Sequence, residues 1–298
     1  MELHRHIIRG YDIRGVVGED LSENLYIHFG RAYGTIMKKQ DVTSVVVGAD
    51  CRETSDTYKA AFIQGVQETG LNTIDIGMVL VGRVYWAQYH FNTKGAAMIT
   101  ASHNPREFNG IKLASDFSES MIAEELQQMA DIVENESYNL SDTPGTGKTE
   151  DITEQYFANL IERFNITKPF KVVIDPSCTT AGAIIPKLLT QAGCTVIEQH
   201  CDVSGSFPLG VADPTEEVVA KRLAEGVLAH NADIGFSYDA DGDRIGIVDE
   251  NGQIIWNDVL VALFAKDILR TYPNSPIMYN TLCSKLVSDT IIAAGGSP

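Results

Sequence analysis

Twice in this chain a short apolar run is followed by a segment of helical period, a glycine and a second apolar run. The first copy starts at Val45-Val46-Val47-Gly48-Ala49, predicts a helix over residues 56–68, stops at Gly70 and resumes as Thr73-Ile74-Asp75-Ile76. The second reads Lys171-Val172-Val173-Ile174-Asp175, a helix over 183–191, a stop at Gly193, then Cys194-Thr195-Val196-Ile197. Apolar runs this short and continuous suit strands covered on both faces, and intervening helices make the strands parallel. The glycine beyond each helix supplies the left-handed C-cap conformation that other residues resist. The pattern predicts an α/β chain of tandem three-layer α/β/α domains with mixed, mostly parallel sheets.

A third copy opens at Pro276-Ile277-Met278-Tyr279-Asn280, predicts a helix over 286–293 and reaches Gly295-Gly296, where the sequence ends. The strand that follows the glycine in both earlier copies is missing, so the expectation is a third domain that is incomplete. The polar, turn-rich stretch 135–147 reads as a linker or exposed loop. Boundaries are accordingly expected at 1–150, 151–254 and 255–298. Gly147-Lys148-Thr149 has the ending of a phosphate-binding P-loop, but Asp142 stands where that motif needs its first glycine, and no apolar strand precedes it, so a solvated loop is expected.

The composition narrows the class of function. A formal charge of −17 repels nucleic acid and anionic membrane, so an anionic substrate must be met by a local cluster of basic side chains. No run of 18 apolar residues exists, and Met1-Glu2-Leu3-His4-Arg5-His6 lacks a signal-peptide core, which predicts a cytoplasmic protein. Five cysteines without a Cys-x-x-Cys pair predict reduced, mostly core thiols rather than disulfides or zinc.

Two segments carry chemistry. Thr100-Ala101-Ser102-His103-Asn104-Pro105 follows the apolar run Ala96-Ala97-Met98-Ile99, at the strand end where α/β folds bind ligands. The Ser102 hydroxyl is expected to be exposed there. Ser102 and His103 are sequence neighbours, a placement that rarely orients nucleophile and base, and an Asn-Pro turn with a capping serine is the plain alternative. The second segment, Asp239-Ala240-Asp241-Gly242-Asp243-Arg244, lies between two strand-like runs. Three carboxylates so close repel one another unless a cation intervenes, and oxygen-only donors favour Mg²⁺ or Ca²⁺. An EF-hand is excluded, because Arg244 takes the position of its obligatory glycine and the flanks are strands. A solvated acidic turn is the alternative. Two Mg²⁺ charges against three carboxylates suit a site whose remaining ligand is a phosphoryl group in transfer, and Arg14, Lys112 and Arg244 are the candidate partners for its oxygens.

Tyr11-Asp12-Ile13-Arg14-Gly15, residues 100–105, Asn109-Gly110-Ile111-Lys112 and residues 239–244 occur in the order and approximate spacing of the α-D-phosphohexomutases, which the chain resembles over nearly its whole length. The resemblance implies two complete domains, the start of a third, and no fourth. It implies that Ser102 is phosphorylated and passes its phosphoryl group to a hexose monophosphate through a 1,6-bisphosphate, with glucose 1,6-bisphosphate as activator. Asp239, Asp241, Asp243 and a Ser102 phosphate oxygen would hold Mg²⁺. Arg14, Lys112 and Arg244 would stabilise the transferring group, Lys112 ahead of His103 as proton-transfer group, and Tyr11, Arg14 and Lys112 would contact substrate. The opening Arg9-Gly10-Tyr11-Asp12-Ile13-Arg14-Gly15 and Thr100 resemble the mannose/glucose enzymes more than the phosphoglucosamine mutases. The implied ligand is a hexose phosphate, with no nucleic-acid or membrane partner. A metal- and phosphosugar-binding unit without turnover, or one that only hydrolyses the phosphoserine, are the rival readings. Gly77-Met78-Val79-Leu80-Val81-Gly82-Arg83 departs from the family by lacking its frequent Thr-Pro, and the family's sugar-specificity loop is not found.

Overall fold

Both predicted strand–helix–strand copies are present in the computed structural model, which describes residues 3–164 and 166–298. After a 3-10 turn at Arg5–Ile7, the first unit runs β1 (Ile13–Val16), α1 (Glu23–Lys38), β2 (Ser44–Ala49), α2 (Ser55–Glu68), β3 (Asn72–Met78), α3 (Val81–Phe91) and β4 (Gly95–Ile99). It continues through β5 (Phe108–Asp116), β6 (Glu119–Ser120), α4 (Ala123–Glu134) and β7 (Gly147–Thr149). The second comprises α5 (Thr153–Arg163), β8 (Lys171–Asp175), α6 (Ala181–Gln191), β9 (Thr195–Glu198), α7 (Glu217–His230), β10 (Ile234–Tyr238), β11 (Ile245–Asp249) and β12 (Ile254–Ile255). Helices α8 (Asn257–Thr271) and α9 (Lys285–Ala293) follow.

The first sheet has the order β1-β5-β4-β2-β3-β7, the second β12-β11-β10-β8-β9. Pairs β4–β2, β2–β3, β10–β8 and β8–β9 are parallel, while β5 and β11 return antiparallel beside β4 and β10. Side-chain alternation then builds three layers. Val45 and Val47 face a core with Tyr26, Phe29, Tyr33 and Phe62, whereas Val46 faces Ile74, Val84 and Met98 on the other side. In the second sheet Val172 and Ile174 pack on Phe157, Ile184 and Leu188, and Val173 packs on Leu223 and Val227. Gly70 (φ 90°) and Gly193 (φ 91°) adopt the left-handed conformation expected past their helices.

Three expectations need correction. Residues 276–280 form no strand: Pro276 makes a single parallel bridge to Ser297, closed by the Ile277 amide on the Ser297 carbonyl (2.8 Å), and the pairing goes no further. Gly147–Thr149 is an edge strand rather than a free loop, pairing in parallel with Thr73, Ile74 and Asp75. Of the five free cysteines only Cys178 is buried, the others lying half-buried at element ends. Among the described residues no helix is long and apolar enough to cross a membrane.

Candidate functional site

β4 and β10 hold the same place in their sheets, and the loop after each carries one of the two chemical segments. These loops meet. Beyond β4, Ser102 takes a left-handed backbone (φ 52°), a conformation costing a non-glycine residue about 1–2 kcal/mol. Its amide donates to Thr100 Oγ1 (2.8 Å), whose hydroxyl donates to Asp50 Oδ2 (2.8 Å). Arg52, buried beside Asp50, supplies the rest of the support. Its Nη2 donates to the carbonyls of Ser102 (2.7 Å) and Asn104 (2.6 Å), and its Nη1 to those of Pro105 (2.8 Å) and Phe108 (2.9 Å). The guanidinium also lies 4.8 Å from the ring centre of Phe207 in the second unit.

Ser102 is buried, at 2% exposure, against the expectation of an exposed hydroxyl. The second loop covers it: Ser102 Oγ donates to Asp239 Oδ2 at 2.7 Å. His103 Nδ1 lies 3.2 Å from Ser102 Oγ, so here the left-handed turn does bring sequence neighbours into nucleophile–base geometry. Burial, then the nearby Arg244, holds the His103 imidazole below its ordinary pKa, so it is neutral at pH 7 and able to accept a proton.

The aspartate loop is the turn of the β10–β11 hairpin. Gly242 has φ 69°, and a Cβ there would stand 2.8 Å from Leu80 Cδ2. Leu80 and Val81 belong to the turn that departs from the family pattern. Leu80 is buried in the second unit's core with Phe157, and the Val81 amide donates to the Asp241 carbonyl (2.9 Å). Asp239 and Asp241 are buried and Asp243 is exposed, with one oxygen of each within 4.8 Å of the others. Lys112 of β5 donates to Asp241 Oδ2 (2.6 Å) and Asp243 Oδ2 (2.5 Å).

Charge crowding moves these groups away from their ordinary ranges. Burial, together with Asp241 and Asp243, pushes Asp239 up to about 8. Burial acts on Asp241 in the same sense, but Lys112 outweighs it and holds that carboxyl below its ordinary range. Lys112 is in turn kept protonated by the two aspartates despite its burial. Among the described residues Asp241 Oδ1 is buried without a hydrogen-bond partner. An unpartnered buried carboxylate oxygen among hard oxygen donors fits a divalent cation.

The remaining predicted residues ring this centre unevenly. Arg14 donates to Asp12 Oδ2 through Nε (2.9 Å) and Nη2 (2.7 Å), and through Nη1 to Asn104 Oδ1 (2.7 Å), which sets it against the serine loop. The Arg244 amide donates to Asp239 Oδ1 (3.0 Å) while its side chain turns to Asp213 (2.8 Å). Tyr11 is not drawn in: its ring is exposed, and among the described residues it makes no side-chain hydrogen bond. Asp50, Arg52, Phe207 and Asp213 lie outside the motifs the sequence offered, and Asp12 and Asn104 lie inside theirs without an assigned role. Asp50 and Arg52 carried a usable signal, since they too follow a buried strand at its carboxyl end.

Comparison with known proteins follows the same division. The family described as phosphoglucomutase/phosphomannomutase, alpha/beta/alpha domain I, matches residues 5–140, and the corresponding domain II matches 154–252. A phosphomannomutase/phosphoglucomutase of Pseudomonas aeruginosa is 36% identical over 292 residues, covering 98% of this chain and 62% of the relative. A phosphomannomutase of Escherichia coli K12 is 31% identical, covering 97% of this chain and 65% of its own length. Among solved structures, a phosphoglucomutase/phosphomannomutase family protein from Burkholderia thailandensis superposes with TM-score 0.95 at 28% identity, over all of this chain and 66% of that one. The chain thus spans about three-fifths of the length of the curated relatives it matches.

Proposed function

The chain belongs to the phosphoglucomutase/phosphomannomutase family, and on that premise we propose that its two loops carry phosphoryl transfer between Ser102 and a hexose phosphate, mannose or glucose being the sugars named in its relatives. The observation that carries this reading is the 2.7 Å contact of Ser102 Oγ with Asp239, made between loops from different sheets, with neutral His103 on the same oxygen. Residues 1–150 would supply the nucleophile and 151–254 the carboxylates, with 255–298 opening a further unit.

Asp239, Asp241 and Asp243, joined by an oxygen of phosphorylated Ser102, would hold Mg²⁺, which when bound neutralises phosphoryl oxygens and draws electron density from phosphorus. The residues of the chain do the rest. When a hexose 1,6-bisphosphate such as glucose 1,6-bisphosphate donates, Ser102 Oγ forms the new O–P bond as the sugar's O–P bond breaks. The serine proton passes to His103, which returns a proton to the departing sugar oxygen. In the other half-step phospho-Ser102 transfers its phosphoryl group to the free hydroxyl of a hexose monophosphate, and the resulting bisphosphate, turned end for end, returns its other phosphoryl group to Ser102, so that the two half-steps exchange 1-phosphate for 6-phosphate. Lys112, held protonated, and Arg14 stabilise the charge on the moving group. His103 suits the base role better than Lys112, because it is the neutral one of the two.

Intact mass after incubation with Mg²⁺ and glucose 1,6-bisphosphate tests the reading. The chain should gain about 80 Da, one phosphoryl group, and Ser102→Ala should gain nothing. Equal gain in both, or no gain in the unmutated chain with Mg²⁺ bound, rejects it. A coupled assay on glucose 1-phosphate or mannose 1-phosphate then reads isomer formation against mere phosphate release.

A further inference from the structure

A second cluster of metal-ligating side chains lies on the amino-terminal 3-10 turn, apart from both loops. Ile7, fully buried in the first unit's core, pins this turn, and the Ile7 amide closes it onto the His4 carbonyl (3.1 Å). His4 and His6 stack with ring centres 5.8 Å apart and planes inclined by 27°. Both address one carboxylate oxygen: His4 Nδ1 is 3.2 Å and His6 Nε2 3.1 Å from Asp20 Oδ1.

Asp20 is held for this role. Its Oδ2 accepts the Val16 amide (2.9 Å), and that hydrogen bond is the largest influence keeping the carboxyl below its ordinary range. Arg5, between the two histidines, does not compete for it. Its guanidinium is spent on Gln127, Asp131 and Glu134 of α4. Two imidazole nitrogens and an oriented carboxylate oxygen therefore converge from a rigid turn and a fixed loop, with the histidine edges open to solvent.

We propose that His4, His6 and Asp20 form a site for a borderline divalent transition metal ion, of which Zn²⁺ is the probe. Metal–nitrogen and metal–oxygen bonds of about 2.0–2.2 Å place neighbouring nitrogen and oxygen donors about 3.3–3.5 Å apart in a tetrahedron and about 2.8–3.0 Å apart in an octahedron. The observed 3.1 and 3.2 Å lie between these, so the ion needs only small side-chain adjustments. The Val16 amide plays the outer role that fixes a ligating carboxylate. Donor chemistry separates the two clusters: imidazole nitrogens select Zn²⁺ or its transition-metal neighbours, whereas the all-oxygen set of residues 239–243 selects Mg²⁺. This assignment is independent of the proposed phosphoryl transfer.

The test is calorimetric titration of the untagged, chelator-stripped chain with ZnCl₂ in millimolar Mg²⁺, which keeps the aspartate loop occupied. One equivalent should bind, and His6→Gln and His4→Gln should each weaken it at least about tenfold without changing the melting temperature, since both rings are exposed. Asp20→Asn should weaken it likewise while keeping an oxygen for the Val16 amide. No uptake by the unmutated chain, or undiminished uptake in His6→Gln, overturns the assignment, the latter result moving the ion to the cysteines or the aspartate loop.

Discussion

The sheets of the two units share one core, β5-β4-β2-β3 in the first and β11-β10-β8-β9 in the second, with the same parallel and antiparallel pairings. The loops that leave β4 and β10 are nevertheless held in unlike ways. The serine loop, residues 100–107, is fastened from outside by one buried guanidinium serving four carbonyls. The aspartate loop, residues 239–244, is fastened by its own turn: Gly242 and Arg244 amides return to Asp239, and the left-handed glycine sets the bend. The buried carboxylates at the ends of β2 and β8 invert this split. Asp50 is answered by Arg52 two residues along, and Asp175 by Arg222 from the distant α7 (2.7 Å). Topology places a loop, then, and the chain is free to choose what stiffens it.

If the contrast is real, each loop should fail by its own route. The largest effect is expected for Arg52→Ala, which strips four carbonyls of their donor and leaves the Asp50 carboxylate buried without its cation. A loss of about 3–5 kcal/mol in urea unfolding is expected, with phosphorylation of Ser102 falling further than Mg²⁺ affinity. Equal losses in both readouts would erase the distinction between the loops. Gly242→Ala comes next, at about 2 kcal/mol, from forcing a side chain into the left-handed region and against Leu80. There Mg²⁺ affinity should suffer first.

The last effect concerns pH. Asp239, held up to about 8 in the folded chain, keeps its proton there over a range in which the unfolded chain has released it. Without divalent cation, the contribution of Asp239 to stability should be full below about pH 4, fall as pH rises and reach its floor above pH 8. Asp241→Asn removes a negative neighbour of Asp239 and should shrink the difference between melts at pH 5 and pH 8. An unchanged difference would mean that the aspartates do not repel one another as their spacing implies.

Much of this was legible in advance, for identifiable reasons. Val45, Val46, Val47 and their counterparts at 172–174 announce buried strands because both faces are covered, and Gly70 and Gly193 mark helix ends because few residues accept their backbone angles. Three aspartates at alternate positions announce a charge-crowded turn by composition alone. The burial of Ser102 was not legible, since it depends on Asp239, 137 positions away. The place of Arg52 after a buried strand marked its neighbourhood, but not its clamp, because an isolated arginine reads as surface until the carbonyls around it are known. Residues 276–280 misled in the opposite sense: their composition suits a strand, but a strand is a property of two segments, and composition describes one.

Leu80 belongs to the first unit by chain connectivity and to the second by packing, and the adjacent Val81 amide is bonded to Asp241. Melting either sheet alone would tear this side chain from its neighbours and part Val81 from Asp241, so opening one unit forfeits contacts of the other. An excursion that opens one loop is raised in free energy by what it takes from its partner.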